Sequence, residues 1–139
     1  MASGLTIPAA EELGNFLLQA ASAPTYPASF YVALMTYGNT TQGTGGTEVS
    51  TSGTGYGRVA IARSAAALPK TDAAQWQNAN AVTFNNATSI YTVAQVCLYD
   101  AAAGGNCKAI CDLPFPLTFN AGNAVSFPSN SLTFRLVTS

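Results

Sequence analysis

Histidine is absent from the 139 residues. Without imidazole the chain can build no Ser-His-Asp or Cys-His nucleophile, no His-bearing zinc site and no histidine pH switch. Charge is scarce too: 8% of residues are Asp, Glu, Lys or Arg, against about 25% in an average soluble domain. Five Lys+Arg and six Asp+Glu give a net charge of −1. The basic residues Arg58, Arg63, Lys70, Lys108 and Arg135 are scattered along the chain. Nucleic acid calls for several cations on one face, so it is not expected as a partner. No stretch approaches the ~20 apolar residues of a membrane span. The opening residues lack the basic and apolar regions of a secretory signal, so the chain reads as made in a cytoplasm.

Cysteine is sparse and odd in number: Cys97, Cys107 and Cys111. An odd count argues against a disulfide framework. In an extended segment the Cα atoms of Cys107 and Cys111 lie roughly 13 Å apart, too far for a bond. Three thiols with no histidine make a poor metal site. They read as small buried apolar side chains, and neither metal nor cofactor is expected.

Apolar residues make up 48% of the chain, with 12 Gly and 7 Pro. The length fits one domain, residues 1–139. Residues 7–21 have helical periodicity in Ile7, Ala10, Leu13, Leu17 and Ala20/Ala21, with Pro8 in the first turn. Glu11 and Glu12 suit the positive end of its dipole. Pro24 and Pro27 close it. Leu13, Phe16, Leu17 and Leu18 cannot all face one side, so part of this helix needs cover from the domain or from another chain.

Beyond Pro27 the pattern turns to strands. Residues 30–37 are apolar on both parities, which predicts a strand buried on both faces. Residues 39–55 form a long polar loop with a short kink at 47–50, of the kind that is functional or ordered by a neighbour. Strands are expected at 56–62, 81–84 and 91–99. A turn at 100–106 leads into a returning strand at 107–113. Pro114 and Pro116 should interrupt its ladder. Leu132, Phe134 and Leu136 alternate as the inward row of the last strand, with Thr133 and Arg135 outside. The fold class is mainly β: an antiparallel β-sandwich, jelly-roll-like, over 30–137 with one N-terminal α-helix.

Three segments carry a resemblance. One is Tyr31-Val32-Ala33-Leu34-Met35-Thr36. The second is Gly46-Thr47-Glu48-Val49-Ser50 with Gly55-Tyr56-Gly57-Arg58. The third is Ala81-Val82-Thr83-Phe84, then Leu98-Tyr99-Asp100-Ala101-Ala102-Ala103-Gly104-Gly105-Asn106, then Asn120-Ala121-Gly122 and Phe127-Pro128. In this order and spacing, over about residues 30–137, they resemble small virion proteins of tailed bacteriophages. Many of those are described as tail fibre proteins, and similar small β-proteins decorate heads. The resemblance implies a non-enzymatic structural protein of the virion, assembled in the bacterial cytoplasm.

Two roles follow as expectations. The first is a capsid decoration (cement) protein, a trimer that clamps the joints between capsomers and binds the major capsid protein. Its N-terminal segment and long loop would reach neighbouring coat subunits. The alternative is a tail fibre, tail-tip or adaptor protein in host attachment, bound to other tail proteins. A single small domain without a repeat or coiled-coil shaft favours the first. A carbohydrate-binding module is a third class, resting on Trp76 alone.

The candidate interface residues are Leu13, Phe16, Leu17, Leu18, Glu48, Arg58 and Trp76. Glu48 and Arg58 carry opposite charges across the loop and could clasp it or reach a neighbour; exposed, such a pair is worth under about 1 kcal/mol. Trp76, in a polar stretch, either plugs the sandwich end or anchors a contact. Asp100 reads as a turn former. A glycosidase pair of Asp100 with Asp112 or Glu48 lacks a sugar cleft and a raised pKa in this reading.

Overall fold

The computed structural model describes residues 3–136; the expected end of the β-domain at 137 lies outside them. Its elements are β1 (Ser3–Leu5), α1 (Ile7–Gln19), β2 (Ser29–Tyr37), β3 (Thr47–Glu48), β4 (Val59–Ala62), β5 (Lys70–Asp72), β6 (Gln75–Gln77), β7 (Val82–Phe84), β8 (Tyr91–Tyr99), β9 (Cys107–Phe119), β10 (Val125–Phe127) and β11 (Thr133–Arg135). All pairings are antiparallel. The main sheet runs β1-β9-β8-β2-β3, and β4 also pairs with β2. Two small sheets, β10-β7 and β11-β6-β5, lie opposite it. The protein is a mainly β sandwich with one N-terminal helix.

The apolar doublet pattern of β2 buries both faces, as its sequence predicts. Val32 and Leu34 enter the main core with Val96, Leu98, Phe84, Phe127, Leu132 and Phe134. Ala33 and Met35 face the other way, against Cys97, Cys107 and Ile110. All three cysteines are buried, and none of them forms a disulfide. The 39–46 part of the long loop covers this second face. Asn39 exchanges two hydrogen bonds with buried Gln95, N–H to Oε1 at 2.8 Å and Nε2–H to O at 3.0 Å. Its Nδ2 donates to the Tyr99 hydroxyl at 2.9 Å. Ile7 N–H also donates to Thr41 O at 2.7 Å. This part of the loop is therefore held by its own chain.

Helix α1 ends two residues earlier than expected. Ala20 takes a left-handed conformation (φ 52°) and Ala21 N–H closes on Asn15 O at 3.2 Å, so the stop precedes the prolines. Thr6 caps its start, accepting from Ala9 N–H and donating to Cys107 O at 2.9 Å. Neither glutamate lies in the first turn; Glu12 instead meets Lys108 at 2.8 Å. Along β9 the register passes from Asp112 opposite Gln95 to Leu117 opposite Val93. Pro114 and Pro116 sit in the stretch it skips, since neither can donate to a ladder. The inward row of the last strand stops at Phe134: Leu136 is 38% exposed, because the opposing sheet ends there.

Among the described residues, the Tyr91 hydroxyl is the buried side-chain polar atom without a hydrogen-bond partner. Its ring packs against Phe119 and Tyr56, with centroids 5.8 and 6.5 Å away. An unpaired buried hydroxyl costs about 1–3 kcal/mol. Tyr91→Phe is therefore expected to leave stability unchanged or raise it by about 1 kcal/mol in denaturant titration; a clear loss would show that the hydroxyl has a partner in solution.

Candidate interaction surface

Two features stand out on the surface, and a third locks the loop between them. The lock is the Glu48–Arg58 pair. Short strand β3 places Glu48 beside β2, and the chain returns through Tyr56 to Arg58 just before β4. The guanidinium meets the carboxylate with two hydrogen bonds, Nε–Oε1 at 2.9 Å and Nη2–Oε2 at 2.8 Å. Its Nη1 donates to Ala101 O at 2.7 Å and Gly104 O at 2.8 Å. It also stacks over Tyr99, 4.0 Å from the ring centroid. Tyr56 donates its hydroxyl hydrogen to Glu48 and accepts from Leu34 N–H at 3.1 Å. The Arg58 side chain is only 6% exposed and that of Glu48 28%. The clasp thus ties the polar loop, the centre of β2 and the 100–106 turn into one unit. It packs against its own domain.

Burial raises the Glu48 pKa, but the hydrogen bonds from Arg58 and Tyr56 and the arginine charge outweigh it and hold the carboxyl below its usual 4.5. A depressed pKa gives stability that is present above the unfolded value and lost as pH falls through the folded one. The protein is therefore expected to lose stability as pH drops below about 4.5, and Glu48→Gln should flatten that slope. Equal acid slopes in both proteins would refute the assignment.

The first surface feature is the outer face of α1. Leu17 and Leu18 are 79% and 81% exposed, Phe16 about half so, and Leu13 turns toward the domain. Ala9 is the one residue of the helix buried. Two leucines this bare forgo about 1.5–3 kcal/mol each of burial. Such a face marks a contact site more often than a free surface.

The second feature is a groove of ≈ 560 Å³ at the open end of the sandwich. Leu5, Leu13, Phe30, Trp76, Phe134 and Leu136 supply much of its apolar lining. Leu68 closes the side. Trp76 sits half-buried in β6, paired in register with Phe134, and lines the groove. Arg63, Lys70 and Arg135 also border the groove. The cations that look scattered in sequence are thus three at one site. Arg63 Nε donates to Pro27 O at 2.8 Å and Arg135 Nε to Gln75 Oε1 at 2.8 Å. Among the described residues none of the three has an ion pair, whereas Arg58 and Lys108 do.

The remaining carboxylates are spread over separate networks. Asp100 accepts from Asn106 N–H at 2.7 Å and holds the turn. Asp112 accepts from Gln95 Nε2 at 2.7 Å on the second face. No group of three or more His, Cys, Asp or Glu side chains able to hold a metal ion occurs among the described residues, and no helix there is long and apolar enough to cross a membrane.

The sequence analysis marked Leu13, Phe16, Leu17, Leu18 and Trp76 as one candidate set. The structure splits it: Leu13 and Trp76 line the groove, and the other three stand outside it. Residues Arg63, Lys70, Leu68 and Arg135 escaped that reading. No local sequence pattern brings these four residues together.

No curated protein matches the chain. A family model, described as podophage GP4 fiber I protein gp80, matches residues 5–135. The match takes in the helix, both layers of the sandwich, the clasp and the groove. It points to a fibre and says nothing of capsid decoration. The chain belongs to this family of phage fibre proteins, which makes it a component of a virion.

Proposed function

We propose that the protein is a non-catalytic structural part of a tail fibre or of its attachment to the tail, assembled in the host cytoplasm. The observation that carries this reading is the bare apolar face of α1 on an otherwise well-packed domain. Glu48, Asp100 and Asp112 are engaged in an ion pair, a turn and packing, with no convergent acid–base pair among the described residues. The described residues contain one short helix and short strands rather than a coiled-coil or repeat shaft, so this domain acts as an adaptor or head held by neighbouring chains. A charge-poor surface suits close packing, because each buried charge needs a partner. Capsid decoration, the first expectation from the sequence, ranks second because the family match favours a fibre.

Copy number in purified virions, measured by quantitative gel staining, tests the proposal. A tail appendage implies about a dozen or fewer copies per particle, in keeping with closed symmetry. Hundreds of copies would overturn it in favour of decoration.

A further inference from the structure

We infer that the groove is the seat for helix α1 of a second copy of this chain, so that copies join knob into hole in a small closed assembly. The inference deepens the fibre reading by naming the partner of its exposed helix.

Both halves of the contact lie on one molecule. The knob is Leu17 and Leu18. The hole is the apolar cleft between Leu13 and Trp76, open at its rim to Leu136. Charge selects the pairing. Glu11 lies two helical turns before Leu18, on the same line of the helix. It is exposed and, among the described residues, has no ion pair. The groove carries Arg63, Lys70 and Arg135, equally without carboxylates. An acidic helix bearing leucines therefore suits this cleft in both charge and polarity. A symmetric α1-to-α1 contact would instead set Glu11 near its own copy and leave the groove cations unanswered.

The layout also limits the assembly. Knob and groove are different surfaces, so copies either exchange them about a two-fold axis or pass them on around a ring. Here the two surfaces adjoin, since Leu13 lines the groove and Leu17 follows it by one turn of the same helix. Adjoining surfaces favour a small closed assembly over a filament.

The test is complementation between two variants of the full chain. Leu17→Asp/Leu18→Asp removes the knob, and Lys70→Glu/Leu136→Asp spoils the groove. All four positions are exposed, and circular dichroism would verify that both variants fold. In analytical ultracentrifugation the parent protein should sediment as one discrete oligomer of two or more chains, and each variant alone as a monomer. Mixed, the two variants should form a two-chain species, because one intact knob meets one intact groove. A monomeric parent, or a knob variant that still assembles, overturns the inference. So does a mixture that stays monomeric, and so does a groove variant that still assembles alone, which would favour a symmetric helix contact. A monomeric parent that takes up laurate in the groove would assign the site to an anionic acyl ligand instead. None of these readouts depends on copy number in the virion, so fibre membership and self-assembly can fail separately.

Discussion

Arg58→Ala is expected to destabilise the fold by about 3 kcal/mol, near the lower end for breaking a buried ion pair, because Glu48 keeps some contact with water. The loss has three sources. Glu48 would keep its partial burial without its guanidinium partner. Ala101 O and Gly104 O would lose their donor. Tyr99 would lose the cation over its ring. Denaturant titration gives the size, and a cycle with Glu48→Gln isolates the pair. If the clasp works as one unit, the double variant should lose clearly less than the two single losses added together. Additive losses would mean that Arg58 acts through packing alone. Hydrogen exchange adds a spatial readout: amides of 39–49 and 100–106 should lose protection together, while those at the centre of β8 should not.

How much of this was legible in the sequence depends on where each signal resides. The bounds of β8 could be read directly, because its core-facing side chains and the following Asp100–Asn106 turn are local. The two-faced burial of β2 was legible for the same reason. Strand β1 was not: Ser-Gly-Leu carries no pattern, and only pairing with residues 109–111 makes it a strand. Strands β5 and β6 hid in a polar stretch, since Lys70–Gln77 is held by β11 from far along the chain. The long loop looked in need of a neighbour because its anchor is one amide, Asn39, and its receptor, Gln95, lies 56 residues away. The clasp was legible as two opposite charges, although its burial was not. The groove was invisible, as its walls come from β1, α1, β2, the 63–70 stretch, β6 and β11.

The N-terminal half of that groove is tied to its C-terminal half at one crowded place. A side-chain carbon on Gly4 would lie 2.1 Å from Arg135 O, at a backbone φ of +146° that other residues rarely adopt. Just before Arg135, Phe134 enters the main core at 6% exposure and faces Trp76 across the β11–β6 pair. Phe134→Ala removes a ring from that junction and is expected to cost about 3–5 kcal/mol in denaturant titration. Leu136→Ala, at the exposed rim, should cost under about 1 kcal/mol. Thr133→Ala should fall near 1 kcal/mol, because its hydroxyl accepts from Gln77 Nε2 at 2.9 Å. Equal losses at 134 and 136 would show that the row of inward side chains continues past β11, contrary to the packing. If the order holds but Leu136→Ala weakens self-association while Thr133→Ala does not, the two ends of this short segment serve different tasks. Phe134 would hold the sandwich together, and Leu136 would meet the neighbouring copy.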